Sequence, residues 1–370
     1  MTEKMSKILF IIDHLGCGGA ERITLQLAEY LAANDHSIHL AVLNGRLNYY
    51  HCTATASIDY TDLQLCESFA YGKMWKNKVL SPDEKTKIDT LLTNNFDLII
   101  TGYNNGHWLA PYLKGNVWHW IHGDLLEFRN FNNPLKQIKE HIRFFKNKRK
   151  FSKLFNHKNL ITVNRDLENK AKTYANPSCV RTIANGVQIS EDLITRSQST
   201  SKKWDVIFVG RLVPIKQVDH AIKAFALSNL SGKMAIVGDG PERQKLEALA
   251  KELGISDRVN FLGWVDNPHQ FMLQSKCLVM CSVYEGSPVT LAESIALGIP
   301  IFSYNSSSGI QDLSCSNCDA LKLSPKQNIN FLAQNLSKIS ILNTHYCKDC
   351  HKKIHLNQMS KQILKLALSS

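Results

Sequence analysis

The chain has 370 residues, of which 44% are apolar and 21% charged, and its formal net charge is +12 at neutral pH. This length allows two domains with separate cores, and the composition is that of an ordinary soluble globular protein. No run of about 18 apolar residues occurs, so we expect no transmembrane helix. The N-terminal segment lacks the length and cleavage site of a secretory signal, so we expect a mature protein in the cytoplasm.

The first half of the chain alternates apolar runs with helical patterns. An apolar run at 7–14 predicts a strand, and the periodicity of 20–34 predicts an amphipathic helix. Further apolar runs predict strands at 36–43, 97–103, 117–123 and 159–163. This alternation favours an α/β fold with parallel sheets. Residues 185–204 lose apolar periodicity and are rich in Ser and Thr, so they are the best candidate for a linker.

A basic segment lies within this first half, at residues 131–160. It contains nine Lys or Arg residues and one Glu, and Phe144, Phe145, Phe151 and Phe155 lie among the cations. A basic helix with aromatic residues is typical of a segment that binds an anionic membrane surface, and this is our prediction. A solvated helix face with a few core phenylalanines is the alternative. No zinc-finger, RRM or KH motif accompanies the segment, so we expect no nucleic acid partner.

The second half repeats the alternation more regularly. Strands are predicted at 205–210, 234–240, 259–265, 277–284 and 300–307, and helices at 215–229, 241–253 and 288–297. Gly298 and Pro300 end the last of these helices. Two doubly wound halves joined by a linker would bind a ligand in the cleft between them.

The segment EGSPVTLAE, residues 285–293, has the features of an anion site. Ser287 followed by Pro288 predicts a helix N-terminus, whose free N–H groups bind phosphate. Glu285 and Glu293 stand on either side of this start, and carboxylates accept hydrogen bonds from vicinal hydroxyl groups. A phosphate between hydroxyl-bearing rings indicates a nucleotide-sugar. The alternative is that both glutamates only interact with the helix dipole.

Other polar residues follow predicted strands. Arg211 and Lys216 come after the strand at 205–210, where cations would neutralise a diphosphate leaving group, and the alternative is two surface charges. The loop at 15–22 contains G-x-G-G, which indicates close approach of the backbone to another group. His122 ends a predicted strand, and of the two histidines His119 is the one that we expect in the core. No D-x-D motif occurs, so a metal chelated by carboxylates is not indicated.

Two C-x-x-C pairs, Cys315/Cys318 and Cys347/Cys350, raise the question of a zinc site. The 28 residues between the pairs exceed the usual spacing of about 15–20. We therefore interpret these residues as reduced thiols, with zinc as the open alternative.

Taken together, these motifs resemble those of the retaining glycosyltransferases of glycosyltransferase family 4. The matching blocks are GGAER (18–22), HG (122–123), NGV (185–187), FVGRL…K (208–216), VGDGPER (237–243), VNFLGWVDN (259–267) and EGSPVTLAE (285–293). The resemblance implies the GT-B fold, in which two Rossmann-like doubly wound domains face each other across a cleft. It also implies an acceptor-binding domain at 1–190, a nucleotide-sugar-binding domain at 191–355, and a C-terminal helix at 356–370 that returns to the first domain.

The resemblance also implies a role for each matching residue. Glu293 would hold the ribose hydroxyls and Glu285 the hydroxyls of the donor sugar. Arg211 and Lys216 would stabilise the leaving nucleoside diphosphate, and His122 would contact the donor sugar. The remaining donor-binding residues would be Gly18, Gly19, Gly210, Gly263, Trp264, Val265, Gly286, Ser287, Val289 and Thr290. The diphosphate itself would take the acceptor proton, so Glu285 would position the sugar, and no metal or other cofactor is expected.

The function implied is transfer of a hexose or N-acetylhexosamine, with retention, from a nucleoside diphosphate sugar, for which UDP is the expected nucleotide. The acceptor would be a lipid-linked, lipopolysaccharide or capsule saccharide, and the enzyme would lie at the inner face of the bacterial cytoplasmic membrane. One alternative is a GT-B sugar-nucleotide epimerase, which would need additional carboxylates and histidines to move protons. The other is a non-catalytic membrane-associated relative, which would have no need of the complete Arg/Lys/Glu/Glu set.

Overall fold

The computed structural model describes residues 5–16, 18–48, 58–197, 199–313, 320–339, 346 and 348–368. Its contacts divide the chain into two compact units. Unit 1 comprises residues 1–184 and 356–370, and unit 2 comprises residues 185–355.

Unit 1 contains a parallel sheet of seven strands in the order β3-β2-β1-β4-β5-β6-β7. The strands are β1 (Lys7–Ile12), β2 (Ser37–Val42), β3 (Ile58–Asp62), β4 (Leu98–Thr101), β5 (Val117–Ile121), β6 (Asn159–Thr162) and β7 (Cys179–Thr182). The helices are α1 (Gly19–Ala32), α2 (Glu67–Ala70), α3 (Pro82–Leu92), α4 (Pro134–Phe155), α5 (Arg165–Tyr174) and, from the end of the chain, α14 (Leu356–Ala367). The central strands are continuous apolar runs because helices cover both faces of a parallel sheet.

Helix α14 brings the end of the chain back to unit 1, as predicted. It packs against α1, and the side-chain amide of Asn116 donates to the carbonyl oxygen of Leu366 at 2.7 Å. One face of α14 is buried, with Leu356, Met359 and Ile363 among its members.

Unit 2 contains a parallel sheet of six strands in the order β10-β9-β8-β11-β12-β13. The strands are β8 (Trp204–Val209), β9 (Met234–Val237), β10 (Val259–Gly263), β11 (Ser275–Met280), β12 (Ile301–Tyr304) and β13 (Leu321–Ser324). The helices are α6 (Glu191–Ser197), α7 (Val218–Leu227), α8 (Arg243–Glu252), α9 (His269–Leu273), α10 (Val289–Ala296), α11 (Ser308–Gln311), α12 (Ile329–Leu336) and α13 (Lys348–Ile354).

Both sheets are doubly wound, which confirms the predicted α/β class with two Rossmann-like domains. In each sheet the strand order reverses beside the first strand, between β1 and β4 in unit 1 and between β8 and β11 in unit 2. Ligands of open α/β sheets bind beyond the carboxyl ends of the strands at such a reversal point. The loops that follow these strands are therefore the places where functional side chains are expected.

The predicted linker at 185–204 is part of unit 2. The backbone N–H of Val187 donates to the carbonyl oxygen of Ile354 at 2.7 Å, and Val187 is buried in the unit 2 core. Ile189 and Leu193 pack against the same core, and α6 lies within the segment. These three apolar side chains thus anchor residues 185–204 to the unit 2 core, although the segment lacks apolar periodicity.

Two buried histidines, His107 and His119, lie in the core of unit 1. The Nδ1 atoms of both rings are within hydrogen-bond distance of the Thr101 hydroxyl, at 3.2 and 2.6 Å. Burial lowers the pKa of His107 to about 3 and holds the pKa of His119 well below its usual range. Both rings are therefore neutral in the folded protein, which agrees with the assignment of His119 to the core.

These histidines predict a loss of stability in acid. Below about pH 6.5 the unfolded chain binds protons on histidine that the folded chain does not. Each ring therefore lowers the free energy of unfolding by about 1.4 kcal/mol for each pH unit below that value. The variant His107→Asn should show a difference in unfolding free energy between pH 7.5 and 5.5 that is smaller than that of the wild type by about 1.4 kcal/mol. Urea unfolding at the two pH values measures this difference.

The comparison with a variant is needed because Asp13 acts in the opposite direction. Burial raises the pKa of Asp13 to about 7, so the folded chain binds that proton more readily than the unfolded chain, and stability rises as pH falls below 7. The exposed His141, replaced in the same way, serves as the control. An identical pH dependence for His107→Asn and the wild type would contradict the prediction.

Candidate functional site

Three predicted site residues lie at the reversal point of the unit 2 sheet. Arg211 and Lys216 follow β8, and Glu285 follows β11, the neighbouring strand. The two loops are joined by a hydrogen bond from the backbone N–H of Val283 to the carbonyl oxygen of Ile215 at 2.9 Å. Parallel pairing of β8 with β11 thus places cations and a carboxylate from distant parts of the sequence at one edge of the sheet.

Lys216 and Glu285 form an ion pair. The Lys216 Nζ atom is 2.6 Å from Glu285 Oε1, and the two side chains are 24% and 11% exposed. The hydroxyl of Ser282, which is buried, donates to the same oxygen at 2.5 Å. The sequence indicated separate roles for the lysine and the glutamate but neither their pairing nor the contribution of Ser282, because hydrogen-bond partners so far apart in sequence leave no local pattern.

Arg211 is exposed. It follows the same strand as Lys216, so its backbone lies at the same edge of the sheet. Within the described residues its guanidinium takes part in no hydrogen bond or ion pair. A guanidinium presents five N–H donors that match phosphate oxygens. The chemistry of Arg211 therefore suits an anionic ligand at the end of β8.

Glycines join the carboxyl ends of β8, β9 and β10. The backbone N–H of Gly210 donates to Val237 at 3.0 Å, and the N–H of Gly238 donates to Gly263 at 2.7 Å. Gly238 has a φ of 133°, and a Cβ atom there would overlap the carbonyl oxygen of Gly210. The predicted residues Gly210 and Gly263 thus belong to one cluster with Gly238, a residue that the site prediction omitted.

This packing predicts that Gly238→Ala is strongly destabilising. The added methyl group meets rigid backbone and the φ angle is unfavourable for alanine, so we expect a loss of about 3 kcal/mol in unfolding free energy. Gly254→Ala is the matched control, because Gly254 also has a positive φ of 68° but nothing within 4 Å of the position of a Cβ atom. It should lose only about 1 kcal/mol. Equal losses in urea unfolding would contradict the argument from packing.

The start of helix α10 differs from the prediction at Ser287. The helix begins at Val289 with Pro288 at the N-cap position, and no side chain caps it. The Ser287 hydroxyl instead accepts the backbone N–H of Asn185 at 3.0 Å, and the Asn185 side-chain amide donates to the carbonyl oxygen of Ser287 at 2.9 Å. The prediction that Ser287 caps the helix is wrong, because the buried backbone N–H of Asn185 requires an acceptor and takes the hydroxyl.

The first turn of α10 remains a candidate anion site after this correction. No side-chain oxygen of a cap residue accepts the N–H groups there, and Val289 and Thr290 are half-buried. Gly286 and Ser287 precede this turn directly and follow Glu285. The predicted donor-binding residues of this segment therefore remain together at the carboxyl edge of the sheet.

Glu293 lies on the second turn of α10 and is buried. Its Oε1 atom is 3.0 Å from Nε2 of His269, the first residue of α9. Trp264 and Val265 lie in the loop between β10 and α9, with Trp264 exposed and Val265 half-buried. The His269 contact thus connects the loop predicted to line the base with the helix predicted to hold the ribose, and the sequence prediction missed this histidine.

The remaining predicted residues belong to unit 1. Gly18 and Gly19 begin α1 after β1, and a Cβ atom at Gly18 would overlap the carboxylate of Glu21. His122 follows β5, and its ring lies 4.3 Å from that of Trp120, centroid to centroid. Burial lowers the pKa of His122 to about 3, so the ring is neutral. Neither ring nitrogen has a hydrogen-bond partner among the described residues.

Possible metal ligands are limited in the described part of the chain. No group of three or more His, Cys, Asp or Glu side chains there has an arrangement suited to a metal ion. Cys315, Cys318 and Cys347 lie outside the described residues, and Cys350 is buried in α13. The described residues therefore do not test whether the C-x-x-C pairs bind zinc.

Comparison with known proteins supports an assignment for unit 2. Residues 190–354 match the family model described as glycosyl transferases group 1. An exopolysaccharide phosphotransferase of Streptomyces coelicolor is 34% identical over 159 residues, which are 41% of this chain but 16% of that protein. The chain thus spans about a sixth of that relative's length.

Two further similarities extend over most of the chain. An α-1,4-N-acetyl-D-galactosaminyltransferase of Campylobacter jejuni, which acts on a GalNAc-containing saccharide linked to diphospho-undecaprenol, is 27% identical over 86% of this chain and 84% of its own length. The crystal structure of HepE from Anabaena, in complex with UDP and glucose, has a TM-score of 0.74 and 16% identity over 99% of this chain and 100% of that chain. The structural similarity shows that the fold is GT-B. Residues 190–354, which form most of unit 2, are therefore similar to the domains described as glycosyl transferases group 1.

Proposed function

We propose that the protein is a retaining glycosyltransferase that moves a hexose or N-acetylhexosamine from a nucleoside diphosphate sugar to a saccharide acceptor. The observation that carries this proposal is the Lys216–Glu285 ion pair, which lies with Arg211 at the reversal point of the unit 2 sheet. Cations suited to a diphosphate and a carboxylate suited to sugar hydroxyls stand side by side there. UDP is the nucleotide we propose, in keeping with the ligand of the HepE structure.

We propose the following chemistry for residues in these positions, in keeping with the resemblance to retaining glycosyltransferases. The bond between C1 of the sugar and the diphosphate oxygen breaks, and a bond forms from C1 to the acceptor oxygen on the same face. Lys216, Arg211 and the first turn of α10 stabilise the negative charge that develops on the leaving diphosphate. A diphosphate oxygen takes the proton of the acceptor hydroxyl, and Glu285 holds the sugar hydroxyls in position. The α-linkage in the name of the Campylobacter relative agrees with retention from an α-linked donor.

Release of nucleoside diphosphate tests this function. The purified protein is incubated with UDP-glucose, UDP-galactose, their N-acetyl forms and GDP-mannose, each with and without EDTA. We expect one or a few donors to be cleaved, without sensitivity to EDTA, because protein cations neutralise the leaving group. Activity that EDTA removes would overturn the proposal that no metal is required. A folded protein that cleaves no member of the panel would favour the non-catalytic alternative.

The acceptor we propose is a lipid-linked, lipopolysaccharide or capsule saccharide reached at an anionic membrane surface. Helix α4 supports this part of the proposal, because Leu135, Ile138, Ile142 and Phe145 form a stripe with side chains between 51% and 71% exposed. Their spacing of three and four residues puts them on one face. The exposed cations Lys139, Lys146 and Arg149 each lie four residues after a member of the stripe.

The same helix has an opposite, buried face. Phe151, Leu154 and Phe155 are buried in unit 1, so part of the aromatic content belongs to the core, as the alternative interpretation held. The exposed stripe is not explained by that alternative. No helix among the described residues is both long and apolar enough to cross a bilayer. The geometry fits a helix that lies in the membrane interface with its apolar stripe inserted.

Vesicle binding tests the role of the stripe. Ile142→Glu should weaken binding to vesicles containing an anionic lipid by at least about tenfold, because it removes apolar burial and adds charge repulsion. Val79→Glu is the control, since Val79 is also exposed in unit 1 but lies outside α4. Co-sedimentation at low salt measures both. A wild type that ignores these vesicles, or an Ile142→Glu variant that binds like the wild type, would contradict the proposal.

A further inference from the structure

His269 and Glu293 form a contact in unit 2 that has no part in the chemical steps proposed above. The two atoms His269 Nε2 and Glu293 Oε1 are 3.0 Å apart, and both side chains are buried. His269 is itself fixed at the start of α9, where its backbone N–H donates to the side-chain oxygen of Asn267 at 3.0 Å. The histidine therefore reaches Glu293 from a separate element that directly follows the loop at 264–268.

A buried carboxylate needs hydrogen-bond donors to offset its desolvation. A donor on another element also restricts the orientation of the carboxylate group, because the ring and the helix that carries it are both packed. A carboxylate has no proton to give when ionised, so Nε2 of His269 is the donor and carries the hydrogen. The contact thus restrains the direction of the carboxylate.

We propose that His269 is a positioning residue for nucleotide recognition, and this inference rests on the proposed function. The Nε2–H group of His269 holds the Glu293 carboxylate in the orientation in which it accepts the 2′-hydroxyl of the ribose of a nucleoside diphosphate. Because His269 follows the loop that carries Trp264 and Val265, the same bond keeps the base-lining loop in register with the ribose acceptor. The bond makes recognition of the base and of the ribose depend on each other.

Replacement of a histidine with a purely structural role would affect ligand binding differently from replacement of a positioning histidine. Loss of a packing contact would weaken every ligand of the site equally, whereas loss of a positioning bond weakens only ligands that use Glu293. Removal of a ribose hydroxyl distinguishes the two, because 2′-deoxy-UDP keeps the base and the diphosphate of UDP. The preference for UDP over 2′-deoxy-UDP is therefore the quantity to measure.

Calorimetric titration of UDP and 2′-deoxy-UDP into the full chain supplies this preference. We expect the wild type to prefer UDP by about tenfold, the value of a hydrogen bond to a charged group. His269→Leu should bind UDP about tenfold more weakly with little change for 2′-deoxy-UDP, so that the preference disappears. His269→Gln should retain most of it, because the glutamine amide places an N–H donor near the position of Nε2. Glu293→Gln should lose the preference whether or not His269 is also changed.

Different results would contradict the positioning role of His269 and the proposed function on which it rests. A His269→Leu variant that binds both ligands equally more weakly, or keeps the wild-type preference, would overturn the inference while UDP binding by the wild type still supported the proposed function. A wild type that binds neither UDP nor GDP nor ADP would overturn the proposed function, and the positioning role with it. Thermal unfolding of each variant verifies that the folded protein is being compared.

Discussion

Replacement of Lys216 by alanine is expected to lower kcat for donor cleavage about a thousandfold, which is the effect of removing one preorganised charge from a developing anion. The side chain of Lys216 lies at the reversal point of the sheet and is 24% exposed, so its charge acts on the leaving diphosphate with less screening than that of a fully exposed lysine. The affinity for the donor should change less than kcat, because charge on the diphosphate increases as the bond to the sugar breaks.

Lys223→Ala is the matched control for this prediction. Lys223 lies on the following helix and is paired with Asp219 at 3.0 Å, so it is also a lysine in an ion pair of unit 2. Its replacement should leave kcat within about twofold of the wild type, because an exposed ion pair contributes little. Equal losses for both lysines, or near-normal turnover by Lys216→Ala, would contradict the leaving-group role.

Glu285→Gln should be the second variant with a large effect, with kcat reduced about a hundredfold or more. The amide keeps the shape of the side chain but provides a weaker acceptor for sugar hydroxyls. It also removes the charge that orients Lys216 and that receives the hydrogen bond of Ser282. The substitution therefore disturbs the position of the donor sugar and of the cation at the same time.

The ion pair also predicts how the two substitutions combine. Because Lys216 and Glu285 act as a unit, the double variant should be about as slow as the slower single variant, and the two losses should not multiply. Steady-state kinetics of the wild type, both single variants and the double variant complete this cycle. Multiplicative losses would contradict the mutual positioning of the two side chains.

The sequence predicted the central strands of both sheets, but of the four edge strands it predicted only β10. Strands such as β1 and β8 are continuous apolar runs because both of their faces are covered, and such runs are visible without an alignment. The strands β3, β7 and β13 were not predicted, and each lies at an edge of its sheet. Edge strands are short and partly exposed, so β3, for example, reads IDYTD and lacks an apolar run.

The sequence also predicted which segments of unit 2 carry polar site residues, but not their partners. Arg211 was identified because it follows an apolar run, and Glu285 because it precedes a predicted helix start; both follow strands at one edge of the parallel sheet. The hydrogen bonds of Ser282, His269 and Asn185 join elements that are distant in sequence, so no spacing rule reveals them. At Ser287 the local pattern predicted a helix cap, but the hydroxyl accepts the backbone N–H of Asn185, which is distant in sequence.

Hydrogen–deuterium exchange tests directly whether a nucleoside diphosphate binds at the carboxyl edge of the unit 2 sheet. Exchange of the full chain is measured with and without a saturating concentration of the nucleoside diphosphate that the donor panel releases. We expect slower exchange of backbone amides in 210–217, 238–242, 263–268 and 283–293, the loops and helix start that hold the proposed site. Unchanged exchange in all four segments under saturating conditions, or protection confined to other segments, would contradict this expectation.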